Sequence, residues 1–162
     1  FPCDEYDVAG ETHNFCGMRV FDYDETLFPM EKRVIQCNIL QNDENYAYWS
    51  GLKNNISLYN QEKQRLADDL RLRIEKKYPQ LEGKLIVLGT YSPVTFTTWC
   101  NAYKGGYMSF NPQKGYKNKY VKSTIKGLNN LYLASQWIQT SGGLPIAAAS
   151  GKFAIDIMKS SR

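Results

Sequence analysis

Leu131-Tyr132-Leu133-Ala134, followed by Ser135-Gln136-Trp137, Thr140-Ser141-Gly142-Gly143-Leu144-Pro145 and Ile146-Ala147-Ala148-Ala149-Ser150-Gly151, is the stretch that decides the fold. Its apolar opening predicts a strand over residues 131–134, its glycine pair a turn, and residues 146–158 a helix whose first turns are made of small side chains. A glycine pair ahead of a helix leaves backbone N–H groups unobstructed, and the helix tip carries about half a positive charge. Such a tip fits an anionic ligand, or a ring that gathers negative charge. A helix of small residues packed closely in a core is the competing reading, and no GxGxxG fingerprint occurs to separate the two.

Towards the N-terminus, Leu66, Ala67, Leu70, Ile74 and Tyr78 share one face of a helical pattern over residues 60–78. Charged residues cover the remaining faces, and Pro79 stops the pattern. Lys84-Leu85-Ile86-Val87-Leu88-Gly89 predicts a short buried strand. Ser92-Pro93 supplies an N-cap and a first-turn proline for a helix over 94–102, and Lys104-Gly105-Gly106-Tyr107-Met108 a turn after it. Further back, residues 13–21 read as one strand, Asp22-Tyr23-Asp24-Glu25 as an acidic turn, and residues 31–40 as a second strand. Residues 41–45 read as a polar loop before an aromatic cluster of Tyr46, Tyr48 and Trp49. Strands, a helix and then a strand–turn–helix unit make an α+β chain. We expect a mixed or antiparallel sheet with an amphipathic helix, closed by one α/β-like element.

Composition sets outer limits. The 162 residues are 43% hydrophobic and 22% charged, which excludes collagen-like and wholly disordered chains. No apolar run approaches the ~20 residues of a membrane helix, and there is no signal-peptide pattern. The start at Phe1-Pro2-Cys3 reads as a cut inside a longer chain, so a fragment is expected. The net charge of +4 hides an asymmetry: residues 1–82 carry 10 Lys/Arg against 15 Asp/Glu, and residues 83–162 carry 10 against one. The second half therefore suits an anion or an acidic partner, although a solvated basic face would have the same composition. Cys3, Cys16, Cys37 and Cys100 form no CxxC pair, and Cys3, His13 and Cys16 match no zinc spacing, so no metal is expected. Reduced thiols packed as small hydrophobes fit better and point to a cytoplasmic protein.

Six lysines (Lys104, Lys114, Lys117, Lys119, Lys122, Lys126) alternate with Tyr103, Tyr107, Phe110, Tyr116 and Tyr120. Basic and aromatic residues together can hold single-stranded nucleic acid. With no RNP-like motif and an acidic first half, a lysine-rich loop over aromatic packing is preferred and no nucleic acid is expected.

Taken in order, these segments resemble the C-terminal part of the FAD-dependent phytoene desaturase (phytoene dehydrogenase) family, which includes carotenoid isomerases and retinol saturases. Bacterial NAD(P)/FAD-dependent oxidoreductases of that family look most similar. Residues 130–137 with Ser141-Gly142-Gly143-Leu144-Pro145 and Ser150-Gly151-Lys152 are similar to the family's closing FAD motif. Tyr91-Ser92-Pro93-Val94-Thr95-Phe96 resembles its Thr-Pro-x-Thr-Phe element, and residues 103–108 resemble the glycine/aromatic segment after it. Phe21-Asp22-Tyr23-Asp24 through Pro29, and Tyr46 through Trp49, fit its Asp…Pro…Tyr-x-x-Trp progression. The similarity is colinear from about residue 13. Two positions depart from the pattern: Ser135 stands where the family has glycine, and Gln136 where relatives often carry an acid. The N-terminal dinucleotide fingerprint of the family is absent from these residues.

The resemblance implies a division into residues 1–126, part of a substrate-binding domain, and residues 127–162, the last strand and helix of a Rossmann-like FAD domain. It implies cofactor contacts at Ser135, Gln136, Trp137, Gly142, Gly143, Leu144 and Pro145, with Tyr103 and Tyr107 lining a substrate cavity beside Trp137. It assigns no catalytic residue. FAD would belong to the full-length parent and not to these residues alone, which would be inactive without the missing N-terminal FAD-binding portion. The parent would exchange hydride between flavin and an apolar, polyene-like substrate, in the cytoplasm or peripheral to a membrane if that substrate is a lipid. Exposed apolar surface would favour self-association. Two other readings stay open: a self-contained module binding an acidic partner, and a fragment of an amine-oxidase-like flavoenzyme.

Overall fold

The computed structural model describes every residue except 24, 25, 27, 28, 30, 110–113, 116–120, 141, 161 and 162. Two compact units divide the chain, Phe1–Gly105 and Gly106–Arg162. The 126/127 boundary drawn from the resemblance lies inside the second.

The α+β expectation holds: four helices accompany two small antiparallel sheets. In the first unit β1 (Pro2–Val8) pairs with β2 (Glu11–Phe15), in register Tyr6↔His13 and Val8↔Glu11. The two-residue turn between them, Ala9-Gly10, has positive φ at both positions (52° and 82°), the conformation whose twist matches a tight hairpin. β3 (Gly17–Phe21) pairs with β4 (Val34–Asn38), from Gly17↔Asn38 to Phe21↔Val34.

Residues 13–21 are thus two strands in two different sheets rather than one. Cys16 interrupts them. Its N–H donates to the Phe1 carbonyl at 2.9 Å and its own carbonyl accepts from the Phe1 amino group at 2.8 Å, so its backbone is bound to the first hairpin. Gly17 then runs so close to β4 that a Cβ would lie 2.9 Å from the Asn38 oxygen. The expected strand over 31–40 shortens to β4. The acidic turn predicted at residues 22–25 is described only at Asp22 and Tyr23; Asp24 and Glu25 lie outside the described residues.

Residues 41–45 are loop only at Gln41 and Asn42; Asp43, Glu44 and Asn45 already belong to a helix. Asn42 caps α1 (Asp43–Leu52): its side chain accepts the N–H groups of Glu44 (2.8 Å) and Asn45 (3.0 Å), while the Asn45 side chain accepts the Asn42 N–H at 2.9 Å. This reciprocal cap is built from Asn-x-x-Asn instead of the usual Ser/Thr-x-x-Glu, which is why it read as polar loop. α2 (Ile56–Lys77) starts four residues earlier than its periodicity indicated, behind the cap Asn55, and Pro79 follows it as expected. α3 (Pro93–Cys100) opens at Ser92, whose N–H donates to Thr95 Oγ1 at 3.2 Å.

The first unit's core is Tyr6, Val8, Ala9, Trp49, Tyr59, Leu66 and Val94, one contribution or more from each of β1, α1, α2 and α3. The Tyr59 hydroxyl bonds Ser92 Oγ at 2.7 Å inside it, and Trp49 Nε1 donates to Gln41 Oε1 at 3.0 Å, so these polar groups are paired, whereas the buried His13 Nε2 of the same unit has no hydrogen-bond partner.

The strand expected at 84–89 is absent. No described strand pairs with this segment, and Ile86 (81%) and Leu88 (80%) are exposed. An apolar β-prone run forms a strand only when a neighbouring backbone completes its ladder. In the second unit the strand expected at 131–134 reduces to one bridge, Thr124↔Tyr132, with the Leu133 N–H donating to the Ser123 carbonyl at 2.7 Å. α4 (Gly143–Ser160) closes the unit, burying Ser150 and Ala154. Among the described residues no helix is long and apolar enough to cross a membrane.

Candidate functional site

Around the start of α4 the second unit brings together most of the residues singled out in the sequence. Ser135 accepts the Trp137 N–H on its hydroxyl at 3.2 Å and so starts a 3-10 turn over Gln136–Ile138. That turn places Gln136 across the glycine pair: its Oε1 accepts the Gly143 N–H at 3.1 Å, and its Nε2 donates to the Tyr107 carbonyl at 3.5 Å. The Gly142 N–H closes a turn onto the Gln139 carbonyl at 3.2 Å.

The two glycines differ. Gly142 (φ +54°) is buried, and a Cβ there would lie 2.7 Å from the Ser109 nitrogen and 2.8 Å from its Cβ. Gly143 (φ +86°) is half-buried and meets only Met108 Cε and Pro145 Cδ, at 3.7 and 3.8 Å. Of the first-turn amides in α4, the one on Gly143 is capped by Gln136 and Pro145 has none. At this tip the N–H of Leu144 has no intrahelical acceptor. Leu144 is 87% exposed, so this tip opens outward within its own unit. The arrangement can offer a backbone donor and a partial positive charge to an electron-rich edge.

The Gln136 amide is engaged at both ends, by Gly143 and by Tyr107. Trp137 is half-exposed and the Tyr107 side chain is exposed; Tyr107 joins the cluster through its backbone carbonyl. Tyr103 belongs to the first unit, in the 3-10 turn Tyr103–Gly105, with the Lys104 ammonium 5.6 Å from its ring centre. Lys104 itself pairs with Asp43. In the closing motif, Ser150 Oγ donates to the Ala147 carbonyl at 2.9 Å and Lys152 pairs with Asp156 at 2.8 Å.

Ser109 went unnoticed in the sequence. It is buried against Gly142, and its Oγ has no hydrogen-bond partner. Nothing local marks it, since its role arises from packing onto a turn 33 residues later. The predicted lysine–tyrosine segment falls largely on residues 110–113 and 116–120, outside the described residues. A cleft of about 210 Å³ in the first unit is lined by Phe1, Pro2, Cys3, Asp4, Arg73, Lys76 and Lys77, none of them a predicted site residue. Among the described residues, no three or more His, Cys, Asp or Glu side chains gather as a metal site.

No family model matches the chain, and neither a curated protein nor a solved structure matches it.

Proposed function

We propose that this chain is the C-terminal part of an FAD-dependent oxidoreductase of the phytoene desaturase type, acting on an apolar substrate. The observation that carries the reading is the tip of α4: a capped Gly142-Gly143 turn followed by the Leu144 amide, which has no intrahelical acceptor, preceded in sequence by the colinear motifs given above. When bound, FAD supplies the hydride chemistry. This chain's part is electrostatic and positional. The Leu144 amide, at the positive end of α4, would stabilise negative charge on the pyrimidine edge of the flavin ring. Gln136 would hold Gly143 in place for that contact, and Trp137 would offer an aromatic face beside it. Tyr103 and Tyr107, each within its own unit, remain proposed substrate-facing residues.

A second reading is favoured by a different observation. The second unit carries 8 Lys/Arg against one Asp/Glu, which suits a module that holds an acidic partner. Two measurements separate the readings. Reading the coding sequence upstream of Phe1 should reveal a βαβ unit with a glycine fingerprint, and the longer protein should purify with the visible absorption of bound flavin. The present 162 residues, titrated with FAD, should bind none tightly. An open reading frame without that unit, or strongly salt-dependent retention of the chain on an acidic resin with no flavin in the longer protein, would favour the binding module instead.

A further inference from the structure

Three of the four cysteines lie around Tyr6 in the first unit. Burial first, and then the neighbouring thiols Cys16, Cys3 and Cys37, push the Tyr6 phenol up to about 12. Two of these thiols touch. Cys16 is fully buried at the one-residue junction between β2 and β3, Cys37 is half-buried on β4, and their sulfurs are 4.0 Å apart. The strand register explains the contact. Met18 stands opposite Cys37, and Cys16 lies two residues before Met18, so it occupies the diagonal position on the same face. The backbone is already fixed on both sides, by the Phe1 bonds at Cys16 and by the β3–β4 ladder at Cys37. Bringing the sulfurs to the roughly 2 Å of a covalent bond asks for side-chain rotation about Cα–Cβ together with a local approach of the two backbones at this diagonal position.

We propose that Cys16 and Cys37 form an oxidant-reactive dithiol, which a small peroxide converts to a disulfide tying the β2–β3 junction to β4. The hydrogen bond between the sulfurs prepares the pair. It lowers Cys16 against the cost of burial, with smaller contributions from the Phe1 amino group and then the Arg73 guanidinium, and it raises Cys37, which burial raises further. The pair thus favours ionisation at Cys16 over Cys37, the thiolate-beside-thiol arrangement that disulfide formation needs.

In the first step the thiolate sulfur donates an electron pair to one oxygen of hydrogen peroxide. The S–O bond forms, the O–O bond breaks, and hydroxide leaves with the sulfur oxidised to a sulfenic acid. The second thiol then attacks that sulfur. The S–S bond forms, the S–O bond breaks, and the departing hydroxide takes the thiol proton as water. Counting the proton first lost by the pair, two thiols and one peroxide give one disulfide and two waters.

The test is competition among the four cysteines of the intact chain. Cys100 is exposed at the end of α3, so accessibility alone would make it react first. We expect limiting hydrogen peroxide, followed by alkylation and peptide mapping, to give a linked Cys16–Cys37 peptide pair while Cys3 and Cys100 remain alkylated. The link should form about tenfold faster than Cys100 is oxidised, in line with the lowering of Cys16 by its thiol neighbour, and a thiol reductant should reverse it. The bridge should form unchanged in C100S. In C37S, which removes both the hydrogen bond that lowers Cys16 and the resolving thiol, Cys16 should lose its lead over Cys100 in oxidation. Oxidation of Cys100 while Cys16 and Cys37 are both still alkylated would overturn the proposal, and so would a bridge that includes Cys3. Circular dichroism of C37S checks that the variant folds; should it not, the wild-type mapping alone decides.

Discussion

At the scale of single residues, Gly142 and Gly143 make a controlled comparison. Both have positive φ, but only Gly142 lacks room, with a Cβ position 2.7 Å from the Ser109 backbone nitrogen. Backbone cannot yield as a flexible side chain does. G142A should therefore lose about 2–3 kcal/mol, combining left-handed strain with the clash, and G143A about 1 kcal/mol from strain alone. Urea unfolding of the full chain followed by circular dichroism measures both, and equal losses would show that the packing of Ser109 on Gly142 is unimportant. Sequence alone offered the glycine pair as one unit. The difference between its members depends on Ser109, which no local pattern connects to them.

Among elements, α2 is joined to β1 by arginines. Arg73 donates to the carbonyls of Asp4 (2.6 Å) and Glu5 (3.0 Å), bonds both Asp69 oxygens at 3.0 and 3.1 Å, and stacks over the Tyr6 ring at 4.7 Å. Lysine cannot reproduce this planar fork, so R73K should cost about 1–2 kcal/mol in urea unfolding even though charge is kept. Arg65 makes a similar link to the Asp7 carbonyl at 2.9 Å and holds Glu62 at 2.7 Å. The Arg65 hydrogen bond keeps the Glu62 carboxyl below its ordinary value, against the opposing effect of burial. The folded state then binds that proton more weakly than the unfolded one. Glu62 contributes its stability in full above the unfolded value near pH ~4.3, and the contribution fades as pH falls through the lower folded value. Arg65 is about half exposed, so solvent limits the term to less than about 1 kcal/mol. E62Q should flatten the acid limb of the stability–pH curve by that amount and leave it unchanged at pH 2, where both forms are neutral. The helix itself was legible as a 3.6-residue pattern. Its attachment to β1 was not, because those arginines read only as a solvated face.

At the scale of the whole molecule, apolar surface stays uncovered in the first unit. Ile86 and Leu88 are exposed, and Tyr91 (59%) and Trp99 (71%) form an edge-on pair with ring centres 5.5 Å apart. Exposed apolar side chains of this kind favour association. Sedimentation of the wild-type chain should show a mass that rises with concentration, and I86D/L88D should sediment as a monomer with an unchanged circular-dichroism spectrum. A wild-type chain that stays monomeric at high concentration would remove the patch as an association surface.

What the amino-acid order determined by itself was local: the long amphipathic helix α2, the Ser92-Pro93 start of α3, the glycine turn into α4, the α+β class and the split of charge along the chain. Each follows from periodicity, capping chemistry or composition within a window of a few residues. Tertiary structure decided the rest. It divided residues 13–21 between two sheets, left 84–89 without a partner strand, turned Gln136 into a helix cap and set Cys16 against Cys37. These outcomes depend on which distant backbone or side chain completes a hydrogen bond or fills a contact, and that information is carried by the packing of the folded chain rather than by neighbours in sequence.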